Sequence, residues 1–253
     1  MTQDLLNLDL VRPAFDDGGP ILVNDVDMVS CVIHGRPFVF AVARGGDHIQ
    51  NHLRQGRFYE SEELDLIKQH FPLGGEFVDI GANVGNHSIF VAAFLAPSKI
   101  VPFEPNPAAY KLLIANIAAN GFRDVFDLSH LGYGLSDHPA DGFAMHARRR
   151  NLGSARMVEG AGDISTIVGD VALQDTTPDL IKIDVEGMEL QVLQGLRQTI
   201  ERAKPKIFIE VDDVNDAAFL DWMDKSGYET VQTLRRYDIN QNYLIQSRES
   251  GGA

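Results

Sequence analysis

The chain of 253 residues has a single cysteine, no long apolar run and few basic residues relative to acidic ones. One cysteine, Cys31, excludes an internal disulfide, and its position in an apolar run predicts a buried, inert thiol. No apolar run approaches the ~20 residues that a membrane-spanning helix needs. The first ten residues lack a basic segment before an apolar core. We therefore expect no secretory signal, no membrane partner and a cytoplasmic location.

The charge balance is acidic, with 22 Lys and Arg against 36 Asp and Glu and a net charge of −14. Because phosphate contacts need clustered Lys and Arg, we expect no nucleic-acid partner. Internal repeats and low-complexity runs are also lacking. The hydrophobic share of 44% supports a full core, and the length fits one large α/β domain with a small appendage.

The stretch from Phe77 to Glu104 organises the chain. It contains an apolar run, a glycine turn, an apolar segment long enough for a helix and a second apolar run that ends on an acid. The four parts are Phe77–Ile80, Gly81–Gly85, Ile89–Leu95 and Ile100–Phe103. The glycines let the backbone approach a ligand, and a helix N-terminus offers unpaired N–H groups. A carboxylate at Glu104 can accept the hydroxyl hydrogens of a ribose, so the stretch predicts a nucleotide site.

The turn lacks the full G-x-G-x-x-G pattern of dinucleotide enzymes, because three residues separate Gly81 from Gly85. The strand before it carries Asp79, which would repel a diphosphate and attract a cationic, amino-bearing ligand. S-adenosylmethionine has this chemistry, with a ribose for Glu104 and an amino acid moiety for the turn. One alternative is a nicotinamide-dependent oxidoreductase, and another is a non-catalytic binding module. A further alternative is that the turn binds no ligand and only connects the strand to the helix.

Strand-like and helix-like segments alternate through most of the chain, which predicts a mainly parallel, doubly wound sheet. We divide the chain into an N-terminal β-plus-α cap, residues 1–75, and a main domain, residues 76–253. The cap contains β-rich segments Ile21–Ile33 and Pro37–Val42 around a hairpin turn at Gly35, a helix His48–Gln55 capped by Asp47, and a helix from Ser61. The main domain continues with a helix Ala108–Asn120, a strand within Val125–Leu135, a hairpin or mobile loop at 136–163, a strand Leu180–Asp184, a helix Met188–Arg202, a strand Ile207–Val211, a helix Asn215–Ser226 and strands Tyr228–Leu234 and Tyr243–Ile245.

Two acids, Asp184 and Glu186, follow an apolar strand, where ligands meet the strand ends of an open α/β sheet. Methyl transfer requires an aligned nucleophile and the removal of one proton, and either carboxylate could accept that proton. Asp184 could instead cap the following helix, or the acids could hold a divalent cation. His87, beside the turn, is a further candidate base. We predict Asp184, Glu186 and His87 as catalytic residues and no resident metal.

Other polar clusters give weaker signals. His48 and His52 lie four apart, and without a third ligand they indicate a solvated helix face rather than a metal site. We expect the basic run Arg148–Arg150 to be either a solvated turn or a binding site for an anionic acceptor. We expect Phe58 and Tyr59 either to line an acceptor pocket or to pack in the core.

Four segments together resemble the FkbM family of S-adenosylmethionine-dependent methyltransferases. They read FVDIGANVGNHS from Phe77, VPFEPNPAAYKLLIANIAANG from Val101, LIKIDVEGMELQVLQGL from Leu180 and KPKIFIEV from Lys204, and the likeness covers roughly residues 47–211. The resemblance implies the class I methyltransferase fold, a Rossmann-like seven-stranded sheet with one antiparallel edge strand. It also implies O-methylation of hydroxyl groups on sugars or secondary metabolites. The segment STIVGDVALQD after Ile164 departs from the family's usual leucine-aspartate pair.

The resemblance carries site roles onto matching positions of this sequence. It assigns the cofactor turn to Asp79, Gly81, Asn83 and Gly85, the ribose acid to Glu104, and the reaction face to Asp184 and Glu186. We add the adjacent Asn86, Pro105 and Asn106 to the predicted cofactor site. The leading prediction is an O-methyltransferase that uses S-adenosyl-L-methionine on a small hydroxylated acceptor, possibly an anionic one.

Overall fold

The computed structural model describes residues 7–45, 47–147, 155–160 and 162–251. Within these ranges the helices are α1 (Leu8–Asp16), α2 (His48–Arg54), α3 (Ser61–His70), α4 (Asn86–Phe94), α5 (Pro107–Ala119), α6 (Gly169–Ala172), α7 (Glu189–Gly195), α8 (Arg197–Ala203) and α9 (Asp216–Lys225). The strands are β1 (Val26–Ile33), β2 (Arg36–Ala43), β3 (Glu76–Ile80), β4 (Lys99–Phe103), β5 (Tyr133–Ser136), β6 (Ala140–Ala147), β7 (Ala155–Glu159), β8 (Ile164–Val168), β9 (Leu180–Ile183), β10 (Lys206–Asp212), β11 (Tyr228–Leu234) and β12 (Asn240–Ser247).

The central sheet has the order β11-β12-β10-β9-β3-β4. Strands β4, β3, β9 and β10 are parallel, and β12 is antiparallel to both β10 and β11. The α/β class and the doubly wound arrangement are therefore as predicted. This sheet has six strands in the described ranges instead of seven, because beyond β4 the chain makes only an isolated bridge between Ile100 and Phe126. The antiparallel strand lies one position inside the edge, not at the edge.

Alternate residues of the central strands point to opposite faces and enter two separate cores. Phe77, Leu180 and Phe208 pack with α4, α5 and the N-terminal segment on one face. Val78, Ile181 and Ile207 pack with α7, α8 and α9 on the other face. Both faces are thus covered by helices, which explains why the strands read as nearly continuous apolar runs.

The face that carries Phe77 changes character towards the carboxyl ends of the strands. Two residues after Phe77, Leu180 and Phe208, the same face presents Asp79, Lys182 and Glu210. Asp79 lies directly opposite Lys182 in the parallel register of β3 and β9. The apolar face of the sheet therefore ends in charged side chains, and a site forms above them.

The N-terminal hairpin of β1 and β2 is attached to the main sheet through α5. A two-residue turn at His34 and Gly35, both with positive φ, joins the strands as predicted. The exposed edge of β2 is satisfied by two asparagines of α5: the N–H of Ala41 donates to Asn116 Oδ1 over 2.7 Å and that of Val39 to Asn120 Oδ1 over 3.0 Å. An edge strand covered in this way offers no template for further strand pairing.

Asp47 caps α2, as predicted, by accepting from the N–H of Gln50 over 2.9 Å. Phe15, Phe38 and Phe58 of the N-terminal segment share one core with α4 and α5. Cys31 is half-buried, less than predicted, and burial raises the pKa of its thiol. The division into domains at residue 75 stays a prediction.

The middle of the chain departs most from the sequence-based elements. A second sheet, ordered β5-β8-β6-β7, contains the predicted hairpin as β6 and β7. Strand β8 was not predicted, because its sequence, ISTIV, is short and lies among polar residues and glycines, and its pairing with β5 and β6 is decided by packing. The predicted helix Met188–Arg202 is two helices that meet at Leu196, since Gly195 packs against the backbone of Ser136 and leaves no room for a side chain. Arg148–Arg150 lie outside the described residues. No described helix has both the length and the apolarity for a membrane span.

Candidate active site

Two cavities open at the carboxyl ends of the parallel strands. The large cavity, of about 410 Å³, lies between the central sheet, the N-terminal segment and the chain before β12. The narrow cavity, of about 60 Å³, lies between β3, β4 and the second sheet. Gly81, Asn83, Asp184 and Glu186 line both cavities. The two cavities therefore meet at the turn after β3 and the chain after β9, where a ligand in open α/β sheets is expected.

The turn after β3 is defined by its backbone. Gly81 has φ +81°, and a Cβ there would lie 1.8 Å from the carbonyl oxygen of Asp184, so only glycine lets the two strand ends approach. Gly85 has φ +90°, but a Cβ there would lie 2.5 Å from Leu113 Cδ1. Gly85 therefore leaves room for Leu113 and lines neither cavity, and its predicted contact with the cofactor stays a prediction.

Asn83 connects the turn to β4. Its N–H donates to Glu104 Oε2 over 2.8 Å. Its side-chain Oδ1 is buried and has no hydrogen-bond partner among the described residues. Because buried polar atoms are normally paired, this oxygen indicates a missing donor at the junction of the two cavities.

Glu104 ends β4 and faces the narrow cavity. Its Oε1 accepts from the N–H of Asn106 over 2.8 Å, so both carboxylate oxygens are fixed by backbone donors. Burial raises the pKa of Glu104 to about 7, and the two N–H bonds counteract that effect. Pro105 also lines the narrow cavity, whereas Asn106 caps α5 by accepting from Ala108 over 3.0 Å. Asn106 thus positions Glu104 through its backbone and does not line a cavity.

Asp79 lies beneath the site, not in it. Its side chain is fully buried; Oδ2 accepts from Ser88 Oγ over 2.6 Å and Oδ1 lies 3.5 Å from Lys182 Nζ. This differs from the predicted contact with a cationic ligand, because the cation that Asp79 faces is supplied by the protein itself. Lys182 Nζ also donates to the carbonyl of Gly81 over 3.0 Å and to Asp184 Oδ2 over 3.3 Å. Burial alone lowers the pKa of Lys182, but the carboxylates of Asp184 and Asp79 raise it above its ordinary value.

Asn86 is a structural clamp at the start of α4. Its Oδ1 accepts from the N–H of Tyr59 and its Nδ2 donates to the Tyr59 carbonyl, both over 2.9 Å. The side chain thus pairs with one residue of the N-terminal segment as a neighbouring strand would. Asn86 touches the large cavity, and its amide keeps one N–H and one lone pair beyond those paired with Tyr59, so the predicted cofactor contact stays a prediction.

His87 and Glu60 lie side by side in the wall of the large cavity. Glu60 has φ +58°, an uncommon backbone conformation for a residue with a side chain. Its Oε2 lies 3.5 Å from His87 Nε2, which is buried and has no hydrogen-bond partner in the described ranges. Burial and the Lys182 ammonium lower the pKa of His87 well below its ordinary value. Burial, and then the carboxylates of Asp184 and Glu63, raise the pKa of Glu60 to about 8.

Three acids meet above β9 and β10. Asp184, Glu186 and Glu210 each place a carboxylate oxygen within 4.8 Å of the others. Burial and then Asp184 raise the pKa of Glu186 to about 7, and burial with the same neighbour raises that of Glu210 to about 9. Asp184 does not cap the following helix, because α7 begins after Met188 and has no side-chain cap. These three acids could hold a metal ion, so the expected absence of a resident metal stays a prediction.

Aromatic and amide groups complete the wall of the large cavity. The hydroxyls of Tyr59 and Tyr237 are hydrogen-bonded to each other, and the ring of His48 lies 5.2 Å from that of Tyr59. Asn240 Nδ2 donates to Glu210 Oε1 over 2.6 Å. Phe58 is buried in the aromatic core, so of the predicted pair only Tyr59 reaches the cavity. His48 is exposed and faces the cavity with its ring against His52.

A family model, the methyltransferase FkbM domain, matches residues 79–230, which is more than half of the chain. The chain belongs to the FkbM methyltransferase family. The match begins at Asp79 and includes the turn, Glu104 and the acids above β9 and β10. It confirms the predicted family and supports S-adenosyl-L-methionine as the cofactor.

Among curated proteins, hexuronic acid methyltransferase AglP of Haloferax volcanii is 31% identical over 127 residues. The match covers 49% of this chain and 50% of AglP, so the chain spans about half the length of that relative. Sp1610 of Streptococcus pneumoniae, solved with S-adenosyl-L-methionine, shares the fold at a TM-score of 0.50 and 13% identity, covering 74% of this chain and 72% of its own. The methyltransferase FkbM of Methylobacillus flagellatus gives a TM-score of 0.46 and 20% identity, covering 68% and 43%.

The residues of this FkbM chain fit the cofactor chemically. The buried Oδ1 of Asn83 lacks a donor, which an ammonium or a hydroxyl group can supply. Glu104 presents a fixed carboxylate to the narrow cavity, as ribose hydroxyls require. Apolar side chains of Phe103, Leu135 and Met157 line the same cavity and suit a flat aromatic base, although the cavity, at about 60 Å³, must widen to admit one.

Sequence reasoning missed Lys182, Glu60 and Glu210 as site residues. Lys182 and Glu210 carried a usable signal, since each is a charged residue within an apolar strand, and Lys182 lies at the position that Asp79 occupies in β3. Glu60 carried none. It lies 27 residues before His87 and reaches the site only because Asn86 holds its neighbour Tyr59.

Proposed function

We propose that the chain is an O-methyltransferase that transfers a methyl group from S-adenosyl-L-methionine to a hydroxyl group of a small, sugar-like acceptor. The observation that carries this proposal is the junction of the two cavities at Gly81, Asn83, Asp184 and Glu186. A nucleoside in the narrow cavity and an acceptor in the large one would meet there. The AglP match, to a methyltransferase of hexuronic acid, supports a sugar-like acceptor.

The two cavities divide the work of binding. Glu104 would hold the ribose hydroxyls, with Pro105 and the apolar lining of the narrow cavity around the base. Asn83 and the backbone of Gly81 would hold the amino acid moiety at the junction. Asp79 would act indirectly, by fixing Lys182 beneath the turn. The large cavity would hold the acceptor.

When bound, the cofactor supplies a methyl group activated by a sulfonium. The protein aligns the acceptor hydroxyl, excludes water and takes one proton. Glu186, with a pKa of about 7 and a place at the junction, is suited to accept that proton at neutral pH. Asp184, fixed by Lys182, orients the hydroxyl. His87 is neutral because of its lowered pKa, and its free Nε2 can accept a hydrogen bond from another acceptor hydroxyl.

The described lining of the large cavity favours a neutral acceptor, because it offers no unpaired cation to an anion. Glu60, Asp184, Glu186 and Glu210 contribute carboxyl groups, whereas the cation Lys182 is already paired with acids. Arg156, the second cation, is paired with Asp212 over 2.7 Å. The anionic acceptor inferred from Arg148–Arg150 stays a prediction. The rings of Tyr59 and Tyr237 suit the C–H face of a sugar ring.

Calorimetry with S-adenosyl-L-methionine, S-adenosylhomocysteine and NAD tests the cofactor. We expect both sulfur compounds to bind and NAD not to bind. Glu104→Ala should weaken binding by roughly 1.5–3 kcal/mol, because it removes a charged acceptor. Glu201→Ala, at an exposed carboxylate of α8, is the control and should bind like the wild type. Tight NAD binding without a response to the sulfur compounds would overturn the proposal in favour of an oxidoreductase.

A screen for the acceptor follows the mass increase of one methyl group. We expect neutral sugars to be modified in preference to uronic acids of the same ring size. Preference for the uronic acids would restore the anionic acceptor and place the deciding charge outside the described lining. Absence of any methylated product in a broad panel of hydroxylated metabolites, with the cofactor bound, would favour the non-catalytic binding module.

A further inference from the structure

Strand β7 forms the wall between the two cavities. Its residues alternate: Ala155 and Met157 line the narrow cavity, and Arg156 between them lines the large one. Because side chains of a strand point to opposite faces in turn, one strand serves both cavities. Strand β7 belongs to the second sheet and not to the central sheet that carries the strand ends of the site. The contacts of Arg156 therefore connect two separate sheets.

Met157 anchors the inner side of this wall. It lies opposite Met145 in the antiparallel register of β6 and β7, and both side chains line the narrow cavity. A Cβ at Gly134 would lie 2.6 Å from Met157 Sδ, so the absence of a side chain at Gly134 makes room for Met157. The hairpin of β6 and β7 thus covers the narrow cavity with flexible, apolar side chains.

Arg156 makes the polar contacts from this wall to the central sheet. Its Nη2 donates to Asp212 Oδ2 over 2.7 Å, and its Nε lies 3.8 Å from Glu186 Oε2. Asp212 ends β10, and Glu186 follows β9 with φ +54°. One guanidinium, with its fixed fork of donors, thereby spans the ends of two neighbouring parallel strands.

We propose that Arg156 is a positioning residue that ties the hairpin of β6 and β7 to Asp212 and Glu186, and so holds the narrow cavity closed over the bound cofactor. This inference rests on the proposed function, because it takes S-adenosyl-L-methionine as the ligand of that cavity. Arg156 acts through the carboxylates that it holds.

The charges around Glu186 give the contact a second consequence. Asp184, Asp212 and Glu189 raise the pKa of Glu186, in addition to burial, and Arg156 is the one cation that lowers it among the causes of that shift. Without Arg156, the pKa of Glu186 should rise further above 7. Because the cofactor is cationic, it should favour ionised carboxylates, so affinity should rise with pH as Glu186, the neighbouring Glu210 and Glu104 ionise. Arg156 lowers the pKa of Glu186 and is not among the causes of the Glu104 shift, so a change of the pH dependence in Arg156→Ala reports on the acids beside Arg156.

The test is the dissociation constant of S-adenosyl-L-methionine, measured by calorimetry without an acceptor. We expect Arg156→Ala to raise it about tenfold, since the lost charge-assisted bond is partly exposed to solvent. Asp212→Asn should raise it by a similar factor, and the double variant by no more than the larger single effect. The pH at which affinity rises should also move upward in Arg156→Ala. Arg197→Ala, in an exposed pair on α8, is the matched control.

Each outcome decides one question. An unchanged dissociation constant in Arg156→Ala would overturn this inference and leave the proposed function intact, and so would additive losses in the double variant. If neither the wild type nor any variant bound S-adenosyl-L-methionine, the proposed function itself would be overturned. Thermal unfolding is measured for each variant without ligand. A transition like that of the wild type shows that the variant is folded.

Discussion

The narrow and the large cavity are built by different means. The narrow cavity depends on backbone: two glycine-turn segments approach closely, and Glu104 is fixed by two backbone N–H groups. The large cavity depends on side chains from distant parts of the chain, with several carboxyl groups around the buried Lys182 ammonium. A cofactor common to a family suits the first construction, and an acceptor that differs among members suits the second. Substitutions should therefore act through backbone conformation in the narrow cavity and through charge in the large cavity.

The largest effect is expected at Gly81. In Gly81→Ala, positive φ and a Cβ placed 1.8 Å from the Asp184 carbonyl should destabilise the protein by about 4 kcal/mol or more, or prevent folding. Gly74→Ala is the control, since Gly74 has φ +74° with nothing within 4 Å of a Cβ, and should cost only about 1–2 kcal/mol. Denaturant unfolding measures both. Equal losses would show that the close approach at the turn is not what requires glycine.

Lys182→Met tests the charge balance beneath the large cavity. The substitution leaves the fully buried Asp79 without its cation and should cost about 3–5 kcal/mol of unfolding free energy. Adding Asp79→Asn should recover part of that loss, because the uncompensated charge is then removed. The single and the double variant are compared by urea unfolding at pH 7. If the double variant is less stable than Lys182→Met, the Asp79–Lys182 pair is not the source of the effect.

Glu210→Gln tests the acids of the large cavity with a smaller, pH-dependent effect. The folded-state pKa of Glu210, about 9, lies above its unfolded value, so between these values the native state holds a proton that the unfolded chain has released. Native stability should therefore fall as pH rises from 7 to 9, and Glu210→Gln should flatten that fall. The His87 imidazole does not contribute in this window, because its pKa is lowered.

Unfolding free energies at pH 7, 8 and 9 measure this slope. The control is Glu229→Gln, at an exposed carboxylate of β11, which should leave the slope as in the wild type. An unchanged slope in Glu210→Gln would show that Glu210 is ionised in the native protein throughout this range.

The sequence by itself determined the family, the doubly wound α/β class and the elements around the cofactor turn. These features follow from local signals: apolar runs, glycine spacing and an acid at a strand end. Local signals also gave the hairpin turn at Gly35, the cap at Asp47 and the helix that begins at Pro107. Strand β8 and the division of α7 from α8 were missed, since packing decided both.

Only the tertiary structure decided which groups the candidate residues contact. Asp79 was predicted to face a ligand, but Lys182 lies opposite it in the sheet and pairs with it instead. Asn86 was predicted to bind the cofactor, but it holds Tyr59 and thereby brings Glu60 to His87. Spacing in the sequence fixes which residues end a strand, whereas the register between strands and the packing of distant segments fix which charges meet.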